Sequence, residues 1–357
     1  MQRLRPMKPH AWPRVDQTAW QLANSEASSL FSNQGKALEL RPATRALYER
    51  AYGVWLAFLA QRGELDPHEK PAQRVTRERV QLWLADMEAI GRAKGTIGLY
   101  LISLRGILQI IDPSPSHNFL LRPWGRTVWR AFPTTPKYFP PQDFDDLMRH
   151  LEVLHAFSQS CPDHEQKLIA IRDCALMALF LMYAPRLGDV TRMRLGTRLL
   201  ISDDGLMTVC FPGEETKGKR LLQYPLHDAC AVYIRRYIDS ARRVFAGDGF
   251  TDAVWLSPGG HMLRDYEIAS IFRHHTKNWL GKGYGPHTAR KWLRSSAAKR
   301  SPQAAFDTAQ VLGHSPAVSL RHYAEATDRQ ATRRHASNLA ELRKRTQSLA
   351  ERLYAAE

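Results

Sequence analysis

Apolar residues recur at helical spacing along most of this chain. Ile97, Leu101, Leu104, Leu108 and Ile111 stand at i, i+4, i+7, i+11 and i+14, one stripe of a 3.6-residue period. The same reading predicts helices over roughly Thr44–Gln61, ending at Gly63, and from after Thr76 to about Ile90. Residues 1–36 are polar, with scattered Pro and Ser and no sustained period, and read as a loose N-terminal arm. The stretch Phe132–Gln142 holds four prolines in eleven residues. Proline fixes φ and donates no N–H, so an extended linker is expected there. Beyond it helices are predicted at about 143–156, 166–183, 228–246, 266–280, 286–299 and 302–312. Strand character is confined to Leu206–Phe211, Arg220–Tyr224 and Ala253–Leu256. The expected fold is mainly α with a small antiparallel β-sheet in the C-terminal domain. The expected organisation is an arm over 1–36, a helical domain over 37–132, a linker over 133–141, an α+β domain over 142–327 and a helical tail over 328–357.

Composition narrows the function classes. The chain has 357 residues with 44% apolar and 10% aromatic content, enough for packed cores and against wholesale disorder. The longest apolar run, Cys174–Ala184, is about half of the ~20 residues that span a bilayer. With Arg172 and Asp173 just before it, it reads as a buried core helix, and no membrane role is expected. The basic N-terminus has no apolar segment behind it, so it does not read as a secretory signal. Cys161, Cys174, Cys210 and Cys230 lie far apart without a CxxC, which argues against zinc fingers and disulfide scaffolds and fits a reducing cytoplasm. Lys and Arg number 51 against 35 Asp and Glu, for a net charge of +16. That excess points to a polyanion partner. It is spread along the chain: 20 basic and 11 acidic residues precede position 140, 24 and 19 lie in 140–323, and 7 and 5 follow. Such a spread suits a protein that wraps its partner rather than one with a short basic address.

Four motifs stand in order after the linker. Arg186 follows the apolar helix in YAPRLGDV, with Asp189 three residues on. Lys217 and Lys219 lie in a turn between two predicted strands. His287 and Arg290 are spaced i, i+3 in GPHTARKW, on one helix face. His314 precedes Tyr323 by nine residues in VLGHSPAVSLRHY, where Gly313 can cap one helix and Ser315 and Pro316 can open the next. Alone, each has an ordinary reading: a helix-dipole partner, a solvated turn, a polar helix face, core packing. The order and spacing together are much rarer. No GxxxxGK[ST] and no HExxH occurs, and Asp143, Asp145 and Asp146 read as a helix N-terminus rather than a metal site.

The set resembles the tyrosine recombinase (phage integrase) family over both domains. That family places its first arginine in T-G-[LM]-R-x-x-E; here Ala184 takes the glycine position, Pro185 the next and Asp189 the acid. Its β-turn lysine precedes a Pro-Leu pair, which Pro225-Leu226 matches with Lys217, Lys219 remaining a competitor. Its H-x-x-R is His287 and Arg290, and its L-G-H before the nucleophile is Leu312, Gly313 and His314 before Tyr323. The resemblance implies a two-domain, C-shaped DNA clamp with a helical core-binding domain. It implies strand cleavage and rejoining through a 3′-phosphotyrosyl intermediate and a Holliday junction, with no cofactor, metal or ATP. Arg186, Arg290 and His314 would hold the phosphate, Tyr323 would attack it, and Lys217 would protonate the leaving 5′-oxygen. His287 would accept the phenolic proton or only position the phosphate, and Asp189 would orient Arg186 or its neighbours. Lys94, Arg105, Lys219 and Lys291 are the expected DNA contacts. Double-stranded DNA is the expected partner, with a homotetramer on two sites and a monomer or weak oligomer without DNA. Integration or excision of mobile DNA in the cytoplasm, at the nucleoid, is the expected setting. A type IB topoisomerase-like nicking and rejoining enzyme shares the chemistry and is the alternative. The tail, with Leu339, Leu342, Leu349 and Leu353, either docks on a neighbouring protomer or packs on its own domain.

Overall fold

The computed structural model describes residues 4–27, 34–114, 116–134, 142–214, 221–313, 337–344 and 346–347. The chain divides into two compact units, Met1–Tyr138 and Phe139–Glu357.

The first unit is built on helices α1 (Arg14–Ala23), α2 (Pro42–Gln61), α3 (Arg77–Ala89), α4 (Lys94–Ile111) and a short α5 (Val128–Ala131). The Thr76 hydroxyl caps α3 by accepting from the Arg79 N–H at 3.2 Å, satisfying one of the orphan donors of the first turn. Nearly every residue of α2 from Ala51 to Leu59 is buried, so it is the central helix. Trp55 meets Trp83 of α3 edge to face at 5.2 Å. The stripe predicted on α4 faces the same core, with Ile97, Leu101, Leu104 and Leu108 buried. By length and composition α4 could cross a membrane; here it is a core helix of this unit.

The arm expected to be loose is not loose over residues 4–27. Trp12, Trp20 and Ala23 join the core. Asp16 on α1 is fully buried, accepting from Nη1 of Arg74 at 2.6 Å and from the Tyr52 hydroxyl. Burial and the neighbouring carboxylate push the Tyr52 phenol well above its ordinary range. Met7 donates its N–H to the Gly53 carbonyl at 2.9 Å. A Cβ on Gly53 would stand 2.2 Å from the Met7 carbonyl oxygen, so only glycine lets the chain cross α2 there. Two tryptophans and a paired acid leave no apolar period, which is why the sequence pattern does not announce this packing.

The second unit holds α6 (Phe144–Ser160), α7 (His164–Met182), α8 (Leu187–Thr191), α9 (Asp228–Asp239), α10 (Ala241–Ala246), α11 (Asp265–Leu280), α12 (His287–Arg300) and α13 (Pro302–Val311). Asp143 caps α6, accepting from the Asp145 N–H at 2.9 Å. The apolar run places α7 at the centre, buried from Ala170 to Leu181. An antiparallel sheet in the order β1-β2-β3 (Leu199–Ile201, Met207–Phe211, Leu222–Pro225) lies against this core. Val209 pairs with Leu199 on one side and Tyr224 on the other.

Three local expectations differ. The helix predicted over 228–246 breaks at Ser240, and the break turns the buried Arg242 so that it donates to the carbonyls of Ala253 and Thr251. Among the described residues the strand predicted at Ala253–Leu256 makes only isolated bridges to Arg194 and Met262, while the third strand is the short Leu199–Ile201. His274-His275 reads as a surface pair, yet His275 is buried and its Nε2 lies 2.8 Å from Asp173 Oδ2. Adjacent helix positions point about 100° apart, so one of two neighbours faces inward. Burial alone would raise the Asp173 carboxyl, but His275 and Arg172 outweigh it and hold it below the usual carboxylate range.

Candidate functional site

The site begins where α7 stops. Ala184 takes φ 43°, the left-handed conformation that costs a non-glycine residue roughly 1–2 kcal/mol. This is the position of glycine in the motif that the sequence resembles. Its N–H donates to the Leu179 carbonyl at 3.1 Å, which closes the end of α7. Pro185 then fixes the exit, and Arg186 becomes the N-cap of α8, its carbonyl accepting from the N–H of Asp189 at 2.9 Å.

α12 brings the second pair of residues to this turn. His287 is its first residue and is exposed, while Arg290 one turn on is buried. Arg290 donates from Nη1 to the Ala184 carbonyl and from Nη2 to the Leu312 carbonyl, both at 2.6 Å. One guanidinium thus ties the Arg186 turn to the end of α13. Gly313 follows with φ 63° and donates to the Gln310 carbonyl at 2.9 Å, the glycine cap expected after that helix.

Positive charge dominates the electrostatics. Burial, then Arg186 and Arg294, pull the Arg290 guanidinium down to about 10, so it stays charged at neutral pH. Partial burial of the ring, then Arg290, Lys291, Arg294 and Arg186, lower the His287 imidazole below its ordinary value, although its outer edge meets solvent. A neutral imidazole at pH 7 can accept a proton. Asp189 is buried, and burial raises its carboxyl against the pull of Arg186, Arg192 and Arg290. Its Oδ1 accepts from Arg192 Nη2 at 3.0 Å, while Oδ2 has no hydrogen-bond partner among the described residues. Asp189 therefore grips Arg192 directly and acts on the other two arginines through its charge.

Sequence reasoning missed Tyr183, Tyr224, Arg192 and Arg294. Tyr183, one residue before Ala184, stacks on Tyr224 of β3 with ring centroids 5.0 Å apart and planes 7° apart. The Tyr183 hydroxyl donates to the Pro225 carbonyl at 3.3 Å and accepts from the His227 N–H at 2.6 Å. These contacts fasten β3 to the arginine turn. Two tyrosines 41 positions apart give no periodic signal; only Tyr183 at the end of the core helix hinted at it.

Lys217, Lys219, His314 and Tyr323 lie outside the described residues. Of the expected DNA contacts, Lys94 is exposed at the start of α4 and Lys291 lies half-buried in α12. Arg105 is held by Asn118 Oδ1 at 2.8 Å and Gln109 Oε1 at 2.6 Å. Among the described residues no cluster of three His, Cys, Asp or Glu could hold a metal ion.

No protein-family model matches the chain, and comparison with curated proteins gave no match. Solved structures do match. The XerH site-specific recombinase bound to its difH substrate, before cleavage, superposes with a TM-score of 0.57 at 12% identity, over 92% of this chain and 99% of that one. The Tn1549 transposon integrase bound to transposon right-end DNA gives 0.53 at 15% identity, over 82% and 94%. A lambda integrase tetramer bound to a Holliday junction gives 0.50 at 17% identity, over 80% and 74%. The chain has the fold of these recombinases and integrases: mostly helical, with a small three-stranded antiparallel sheet.

Proposed function

We propose that this chain is a tyrosine-type site-specific DNA recombinase. It cleaves and rejoins DNA strands through a covalent 3′-phosphotyrosyl intermediate and a Holliday junction, and it serves the integration or excision of mobile DNA at the nucleoid. The observation that carries the reading is the pair of hydrogen bonds that Arg290 donates. Its fork engages Ala184, two residues before Arg186, and Leu312, two residues before His314. Three motifs far apart in sequence meet at one guanidinium, with His287 on the same helix and Asp189 nearby. Arg186 and Arg290 suit a phosphate whose charge grows during attack. In this reading Tyr323 is the nucleophile, Lys217 the acid for the leaving 5′-oxygen, His314 a phosphate donor and the neutral His287 the acceptor of the phenolic proton.

The partner in this reading is double-stranded DNA, bound by the helical first unit and by the catalytic second unit, with four protomers on two sites. The tail supports the assembly: Leu339 and Leu342 are 52% and 57% exposed, apolar area left for a neighbouring copy. The test is adduct formation on a nicked duplex. Tyr323→Phe should bind DNA and form no covalent adduct, while Tyr354→Phe should form it normally. An adduct that survives in Tyr323→Phe refutes the assignment.

A further inference from the structure

Between α4 and the linker the chain makes an unusual surface. No acidic residue occurs between Asp112 and Asp143. Leu120, Val128 and Phe132 are buried in the core of the first unit and pin this segment down. The residues between those anchors turn outward. Arg122, Arg126 and Arg130 are exposed, and no ion pair involving them is formed among the described residues. Trp124 is 69% exposed and Trp129 52% exposed. A lone exposed apolar side chain needs no explanation, but two indoles within six residues, alternating with three arginines, do.

Both indoles are held from behind. Trp124 rests against Phe132, with ring centroids 5.4 Å apart. Its backbone sits at φ 50°, ψ 34°, a left-handed conformation disfavoured for a bulky residue and maintained only where the surroundings impose it. Trp129 lies over Gly98 of α4, where an added Cβ would stand 3.2 Å from the indole ring and 2.9 Å from Val128. Glycine at that position lets the ring seat closely. Lys94 stands one turn before Gly98, on the same face of the helix. The result is a fixed ridge with cations along it and two aromatic surfaces turned to solvent.

Arginines alone would serve an intact duplex, whose phosphates they neutralise without reading bases. An indole face gains little there, because the bases are stacked on one another. It gains much from a base that has left the stack, and aromatic platforms set in a basic track are how unpaired strands are held. Strand exchange creates such bases. Resting on the recombinase reading above, we propose that Arg122, Trp124, Arg126, Trp129 and Arg130 form a ridge that takes unpaired DNA, guanidiniums on phosphates and indoles on bases.

The full chain is titrated with an intact duplex and with the same duplex carrying an unpaired bubble, followed by tryptophan fluorescence and gel shift. Trp124→Ala and Trp129→Ala should each weaken bubble binding roughly ten-fold, the scale of one lost base–aromatic stack, and leave intact-duplex binding within about two-fold. Replacing the three arginines by Gln should weaken both substrates and flatten the salt slope by about 0.9 per arginine that meets a phosphate. Unchanged melting temperatures establish that the variants fold. Bubble binding as tight as wild type in both tryptophan variants overturns the ridge, and so does loss of self-association in place of loss of DNA binding. Adduct formation on the nicked duplex, measured in parallel, separates the two readings. An adduct with no tryptophan effect overturns the ridge alone, and neither adduct nor DNA binding overturns both.

Discussion

Arg290 makes a prediction that Arg186 does not share. Both arginines are assigned to the scissile phosphate, yet their structural duties differ. Arg290 is 4% exposed and already spends two N–H groups on the carbonyls of Ala184 and Leu312 at 2.6 Å. In Arg290→Lys the charge remains, but a point-like ammonium reaches one of those carbonyls at best. The other is left buried without its donor, which costs about 1–3 kcal/mol. A loss near 2 kcal/mol in a unit of this size lowers the melting temperature by about 4–8 °C. Arg186 is half-buried, and its side chain makes no hydrogen bond among the described residues. Arg186→Lys should therefore stay within about 0.5 kcal/mol of wild type. In both variants adduct formation on a nicked duplex should fall by about 10²–10³, the scale of one lost donor to a developing oxyanion. Thermal unfolding followed by circular dichroism, read beside the adduct assay, separates the two effects. Equal melting temperatures for the two variants would falsify the bridging role given to Arg290, and wild-type adduct formation in Arg290→Lys would remove it from the phosphate.

Three further outcomes are expected. If Lys217 is the general acid, Lys217→Ala should be crippled on ordinary DNA and largely rescued when sulfur replaces the bridging 5′-oxygen, since a thiolate of pKa about 8.5 leaves unaided; rescue of Lys219→Ala instead would reverse the pair. The lowered His287 imidazole binds its proton less readily in the folded chain than in the unfolded one. Its contribution to stability is therefore complete above the unfolded value near 6.5 and is lost as pH falls. Adduct formation should fall along an acid limb below that value, and a limb that persists unchanged in His287→Asn would take the proton from this residue. Finally, Asp16→Leu leaves Arg74 buried without its partner and should cost about 3–5 kcal/mol in urea unfolding, most of it recovered by adding Arg74→Met; a negligible cost would mean that α1 is not part of the first unit.

Much of this protein is legible in its residues. The stripe on α4, the apolar run of α7, the cap of Thr76 on α3 and the glycine at 313 all act within a few residues of themselves, so local spacing announces them. The motif residues are legible for the same reason: Arg186 and Asp189, His287 and Arg290 each sit at fixed offsets within one turn. What spacing cannot carry is a contact made across the chain. That Asp16 is buried against Arg74, 58 residues away, makes a folded helix of an apparent arm. That Tyr183 stacks on Tyr224 and that His275 faces Asp173 follow from which helix faces the core, not from their neighbours in sequence. The pairing of Leu199–Ile201 with β2, where 253–256 had the stronger strand composition, is likewise a tertiary choice, since a short apolar run becomes a strand only where a partner edge is offered. Ala184 shows the two levels meeting. Its sequence says only that glycine is missing, whereas the folded chain holds it left-handed and hands its carbonyl to Arg290, because burial of that guanidinium requires an acceptor there.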